Sequence, residues 1–179
     1  MNQLVMLFAA IMLLFTLSGC QSDSPATPET IQSAVEYSGD PTPEKALLYN
    51  NIVLSEINRI VESLRHISEH REPYYKRGAL DDAFHDIAVA REIVAAMETF
   101  DGNGEFKNAA IELIAAYQSL AENEYQELVD IISQESHTAT DTVRYNEIAA
   151  SIMEADSSLP AELMRIQVDF AKKYGIELE

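Results

Sequence analysis

Tryptophan is absent, cysteine occurs once, and glycine and proline number six each in 179 residues. One cysteine excludes an internal disulfide, so packing alone must hold the fold together. So few turn-forming residues exclude a repetitive fibre and argue against a strand-rich sandwich. Cations are also scarce: 12 Lys and Arg stand against 30 Asp and Glu, for a formal charge of -18 and a pI of about 4.4. A surface this acidic repels a phosphate backbone, which excludes nucleic acid as a partner, and it repels an anionic bilayer face as well. No apolar run reaches the 18 or more residues of a spanning helix. What remains is a chain that is 47% hydrophobic, enough for one core at a length suited to one domain.

Residues 4–15 (LVMLFAAIMLLF) form a short apolar run of the kind found in the central region of a secretory signal. It is followed by Leu17-Ser18-Gly19-Cys20, which resembles the lipobox of bacterial lipoproteins. That resemblance implies cleavage before Cys20, a diacylglyceryl group on its sulfur, and membrane attachment through the lipid. Small side chains beside the cut and a thiol to carry lipid are what such processing requires. The stretch before the run, Met1-Asn2-Gln3, departs from the pattern in having no Lys or Arg. Residues 1–19 are thus expected to be a signal peptide that carries no charged side chain, so the whole acidic excess belongs to the mature protein. Two or three acyl chains anchor far more firmly than one. By the same resemblance, Gln21 rather than Asp after the cysteine favours the outer membrane.

Residues 20–42 comprise Cys20 and a segment rich in Ser, Thr, Pro and acids, read as a flexible tether with a reach of about 25 Å. The helical region, 43–179, opens at Pro43 with Thr42 as N-cap and Glu44 in the first turn. Ala46, Asn50, Val53, Ile57, Ile60, Leu64 and Ile67 alternate spacings of four and three, which predicts a helix ending near Arg71 before Glu72-Pro73. A second helix is expected after Gly78, through Leu80, Ala83, Ile87, Ala90, Val94 and Met97, with Asp81 and Asp82 near its start. A third opens at Glu105, with Phe106, Ala110, Leu113, Tyr117, Leu120 or Ala121, Leu128 and Ile131 or Ile132 inward. Residues 133–140 read as a connection. A fourth helix, 141–174, is expected to run kinked but unbroken through Pro160, because Leu159 and Leu163 stay in phase, and to stop at Gly175. The fold class is therefore all-α, an up-down-up-down four-helix bundle.

Several patterns carry possible chemistry. His66-Ile67-Ser68-Glu69-His70 sets two imidazoles one turn apart around a glutamate and resembles the inverted zinc-protease motif. Leu64 and Ile67 mark the buried side of this helix, however, which places His66 and His70 near solvent; a solvated helix end is the stronger reading. The turn Asp101-Gly102-Asn103-Gly104 resembles half a calcium loop, but the register puts Thr99 and Ala110 where two anionic ligands belong. Its glycines fit a chain reversal better. Asp82-Ala83-Phe84-His85 is a single aspartate version of the di-iron Glu-x-x-His element and has no partner motif. No metal, no cofactor and no catalytic set is therefore assigned. Asn50, Tyr117, Glu124 and Tyr145 fall on inward positions, where they either fix register or converge on a small polar pocket.

With the helices placed, residues 97–110 (METFDGNGEFKNAA), Tyr117, Glu124 to Leu128, the closing Phe170-Ala171-Lys172-Lys173-Tyr174-Gly175 and the opening Tyr49-Asn50 resemble an uncharacterised family of bacterial surface lipoproteins. The resemblance spans about residues 44–178 and implies an anchored four-helix bundle, with no catalytic residue to carry over. The expectation is a non-enzymatic lipoprotein, anchored through Cys20 in the cell envelope, whose acidic bundle serves as a surface or periplasmic binding or scaffold module for an envelope protein. The alternatives are a small-ligand or cation-binding bundle and a zinc hydrolase using His66, Glu69 and His70.

Overall fold

The computed structural model describes residues 41–69, 72–100, 102, 104–134 and 136–178. The expected signal peptide, Cys20 and nearly all of the tether lie outside the described residues, as do His70, Arg71, Asp101 and Asn103. Among the described residues there is no strand, and no helix is long and apolar enough to cross a membrane. The helices are α1 (Pro43–Glu69), α2 (Pro73–Ala96), α3 (Glu105–Leu120), α4 (Gln126–Ile132), α5 (Ala139–Ser158) and α6 (Ala161–Tyr174). A π-helical turn, Ala121–Tyr125, joins α3 to α4 without a break. The six therefore form four rods: α1, α2, α3 with α4, and α5 with α6.

Thr42 caps α1 as its residue type dictates, its Oγ1 accepting from the Lys45 N–H at 3.4 Å and its carbonyl from the Ala46 N–H at 2.9 Å. The second helix starts earlier than expected. Glu72 takes the extended conformation imposed on a residue before proline, and Pro73 occupies the first turn, where its missing N–H costs nothing. Glu72-Pro73 thus begins a helix rather than merely ending one, and Asp81 and Asp82 lie in the interior of α2 instead of near its start. Gly104 (φ +69°) and Gly102 (φ +80°) take left-handed conformations at the reversal into α3. The Lys107 ammonium closes the end of α2 by donating to the carbonyls of Ala95, at 2.7 Å, and Met97.

With Thr138 as its N-cap, α5 begins at Ala139, two residues ahead of the expected start. The Thr138 side chain accepts from the Asp141 N–H at 3.2 Å while Asp141 Oδ2 accepts from the Thr138 N–H at 2.8 Å. The rod expected to run unbroken through Pro160 is two segments separated by Leu159 and Pro160. Proline has no N–H to donate to the Asp156 carbonyl four residues back. Both separating residues keep right-handed helical dihedrals, so the apolar phase survives the interruption. Gly175 (φ +68°) ends α6, and the Ile176 N–H donates to the Ala171 carbonyl at 3.0 Å.

The apolar positions of all four rods meet in one core that includes Leu64, Ile87, Leu113 and Ile152. Full burial of each such side chain contributes about 1.5–3 kcal/mol, which is how a chain without an internal disulfide stays folded. One end of the core is aromatic: Tyr49, Phe100, Phe106, Phe170 and Tyr174 touch with centroids 4.9–6.3 Å apart. Tyr49 also donates its hydroxyl to the Glu98 carbonyl at 3.1 Å, tying α1 to the turn after α2.

Two glycines give opposite expectations. A Cβ on Gly104 would need a strained φ and would lie 2.8 Å from Thr99 Cγ2, so Gly104→Ala should destabilise by about 1–2 kcal/mol. Gly78 is helical, with nothing within 4 Å of the place an added methyl would take, so Gly78→Ala should stabilise by about 0.4–1 kcal/mol. Urea unfolding of both variants beside the parent checks the pair.

Candidate functional site

Four polar groups from three rods converge near the π turn: Ser68 on α1, Tyr117 and Tyr125 on the third rod, and Asp156 on α5. The π turn creates this arrangement. A continuous α-helix through Leu120 would turn Glu124 inward, whereas one residue more in the turn rotates the following chain so that Tyr125 takes the inward place. Tyr125 is only 1% exposed and Glu124 is half-buried, which corrects the expectation that Glu124 points inward.

Burial pushes the Asp156 carboxyl up to about 6, well above its ordinary value. The same cause, followed by the Asp156 charge, raises the phenols of Tyr117 and Tyr125. For Tyr125 the neighbouring Tyr117 raises it further, while the Ser68 hydroxyl works in the opposite direction. The phenols are therefore neutral proton holders at physiological pH, and the carboxyl exchanges its proton close to pH 6.

The other inward polar residues do not join this group. Asn50 Oδ1 accepts from Gln167 Nε2 at 3.0 Å, a buried bridge between α1 and α6 beside the aromatic end. Tyr117 lies eleven residues beyond Phe106 on its rod, roughly 16 Å along the axis, so Asn50 and Tyr117 belong to different levels of the core. Tyr145 packs partly buried against apolar neighbours. Of the two readings offered for Asn50, Tyr117, Glu124 and Tyr145, convergence on one pocket does not occur: Asn50 bridges two helices and Tyr117 belongs to a separate polar set.

Further polar groups occupy inward spacings that the sequence reading did not single out. Glu56, 2% exposed, accepts from the Arg59 guanidinium; Asp86 accepts from the Ser63 hydroxyl and stands 3.7 Å from Arg59 Nε. Burial raises the Glu56 carboxyl, against the pull of Arg59. Buried Lys76 donates to the Ile67 carbonyl at 2.7 Å, and burial lowers its ammonium. Glu56 lies three residues after Val53 and four before Ile60, Asp156 four after Ile152, and Gln167 four after Leu163. Those spacings were the available signal.

His66 is exposed, and the Glu69 carboxylate is taken up by the Arg65 guanidinium, which also pairs with Glu62. Asp82 and His85 of the di-iron-like element are exposed too. Among the described residues no three His, Cys, Asp or Glu are grouped to hold a metal ion. Comparison of the chain with family models, curated proteins and solved structures finds no match.

The Asp156 environment has a signed consequence. A carboxyl whose folded value is raised destabilises the fold once ionised, so its cost is present at pH 7 and is relieved as pH falls through about 6 toward the ordinary value of 3.8. Asp156→Asn should stabilise by on the order of 1–3 kcal/mol at pH 7, with the gain shrinking toward pH 4. Urea unfolding of parent and variant at both pH values measures it; a gain independent of pH would contradict this account.

Proposed function

We propose that the protein is a membrane-anchored bacterial lipoprotein whose helical domain is a non-enzymatic binding or scaffold module of the cell envelope. On this reading residues 1–19 are removed, Cys20 carries the lipid, residues 21–42 form the leash, and residues 43–179 fold as an up-down-up-down bundle facing the periplasm or the outside. The outer membrane is the favoured site, and the protein belongs with the surface lipoproteins that its helix and turn signals resemble.

The observation that carries the scaffold reading is the apolar core. Leu, Ile, Ala, Val and aromatic side chains from every rod occupy the centre, where a ligand-binding bundle would open a cavity lined by inward polar groups. Function then lies on the acidic outer faces, which favour a basic or neutral partner because an acidic one meets long-range repulsion. A second reading, binding of a small ligand or cation, is favoured by an open cleft between α1 and α2 that holds two carboxylates, Asp81 and Asp82, unpaired among the described residues. Zinc hydrolysis through His66, Glu69 and His70 is the weakest reading, since Glu69 is engaged by Arg65.

Fractionation of cells expressing the full chain tests the anchor. The parent should partition with membranes and into detergent, its mature form bearing a lipid on Cys20 by intact mass, and Cys20→Ala should be released to the soluble fraction. Retention of Cys20→Ala on membranes would overturn the proposal.

A further inference from the structure

The chain has eight tyrosines, and Tyr49, Tyr117 and Tyr125 are buried as aromatic rings usually are. Tyr74 and Tyr75 differ sharply, with 83% and 58% of their surface exposed. Their rings stand edge to face, centroids 5.6 Å apart and planes at 75°, so two aromatic faces meet nearly at a right angle. They border an open cleft of about 320 Å³ whose lining also includes Ser63, His66, Arg77, Asp81 and Asp82. One and two turns along α2, Gly78 and then Asp81 and Asp82 follow Tyr74 on the same side of the helix. Gly78 has nothing within 4 Å of the position a Cβ would take, and this gap separates the rings from the carboxylates.

The charges in the cleft are unequal. The Arg77 guanidinium is engaged by Asp130, and the Ser63 hydroxyl by Asp86. Asp81 and Asp82 are exposed and make no hydrogen bond or ion pair among the described residues. Two carboxylates without a partner among the described residues, beside the exposed Tyr74 and Tyr75 rings, attract positive charge, by direct Coulomb attraction and by the ring quadrupole. The net charge of -18 adds a field of the same sign. Anions are repelled here. A bare metal ion would find no third acid, since among the described residues no such group exists.

We propose that this cleft binds a small organic ammonium ion, its cationic head set against Tyr74 and Tyr75 and within reach of Asp81 and Asp82. The inference deepens the cation-binding reading and does not depend on the lipid anchor.

Titration of the full chain with choline, followed by NMR of labelled tyrosine rings, tests it, with 3,3-dimethylbutanol as the uncharged isostere. Choline should shift the Tyr74 and Tyr75 resonances and bind more tightly than the alcohol. Tyr74→Ala should weaken choline about two- to fivefold, and Tyr74→Phe should preserve it. The double variant Asp81→Asn, Asp82→Asn should weaken choline and leave the alcohol unaffected. All these positions are exposed, so unchanged circular dichroism is expected throughout. No shift with choline, or equal binding of the two probes, overturns the proposal. Choline binding that persists in Tyr74→Ala and in the double aspartate variant removes the cleft while leaving cation binding elsewhere on the bundle standing.

Discussion

Apolar side chains from four rods close on a single core, and no covalent cross-link within the chain shares that task. The helices therefore have to present continuous inward stripes, and interruptions are tolerated only where the stripe can resume. Pro160 illustrates this. It removes one backbone hydrogen bond, yet the helical dihedrals at Leu159 and Pro160 let Ile152 and Leu163 reach the same core. The acidic excess is pushed to the outside by the same demand. Its repulsion is moderated by arginines placed between carboxylates: Arg144 joins Glu127 on α4 to Glu147 on α5, Arg77 joins α2 to α4, and Arg165 sits between Glu162 and Asp169. Exposed pairs of this kind contribute little individually. Their effect is to break up runs of negative charge that would otherwise drive the rods apart.

Polar groups enter the core at places where the helical pattern is disturbed or bridged. The π turn brings Tyr125 inward beside Tyr117, and Asp156 lies opposite, four residues before the proline that leaves its carbonyl without a helical donor. Asn50 and Gln167 instead pair with each other and satisfy themselves. The two sets have different costs: a bridged amide pair is close to neutral, whereas a partly buried carboxylate destabilises the fold at neutral pH. That makes the Tyr117, Tyr125 and Asp156 group the less stable of the two polar sets.

Much of the architecture was legible in the order of residues. Thr42-Pro43, the glycines at 102, 104 and 175, and the alternating spacing from Ala46 to Ile67 each specify a local structure that packing then uses. The misses have physical causes. Pro73 is compatible with both the end of one helix and the first turn of the next, and only the packing of α1 against α2 decides between them. Glu124 satisfies an ideal helical period, and nothing in Ala121-Glu122-Asn123-Glu124-Tyr125 announces the extra residue that displaces it. Core burial of Tyr125 overrides the ideal period. Glu56 and Asp156 escape notice because a charged residue on an inward spacing looks like an edge position until its partners are placed. The exposed tyrosine pair is hidden for a related reason: a second helix starting after Gly78 leaves Tyr74 and Tyr75 in a connection, where exposed aromatics raise no question.

The position of the cleft relative to the entry of the chain connects these findings. Helix α1 begins at Pro43, where the proposed leash arrives, and Ser63 and His66 lie 20 or more residues later, roughly 30 Å up the rod at a rise of 1.5 Å per residue. The start of α2, with Tyr74 and Tyr75, folds back at that same far end. On the anchored reading, the tether would therefore join the first rod at the end opposite the cleft. On the same reading the acidic bundle would be repelled by an anionic bilayer, and a tether over residues 21–42 would let it stand off. On that same reading, an ammonium-bearing ligand would reach the cleft at the end of the bundle away from the tether.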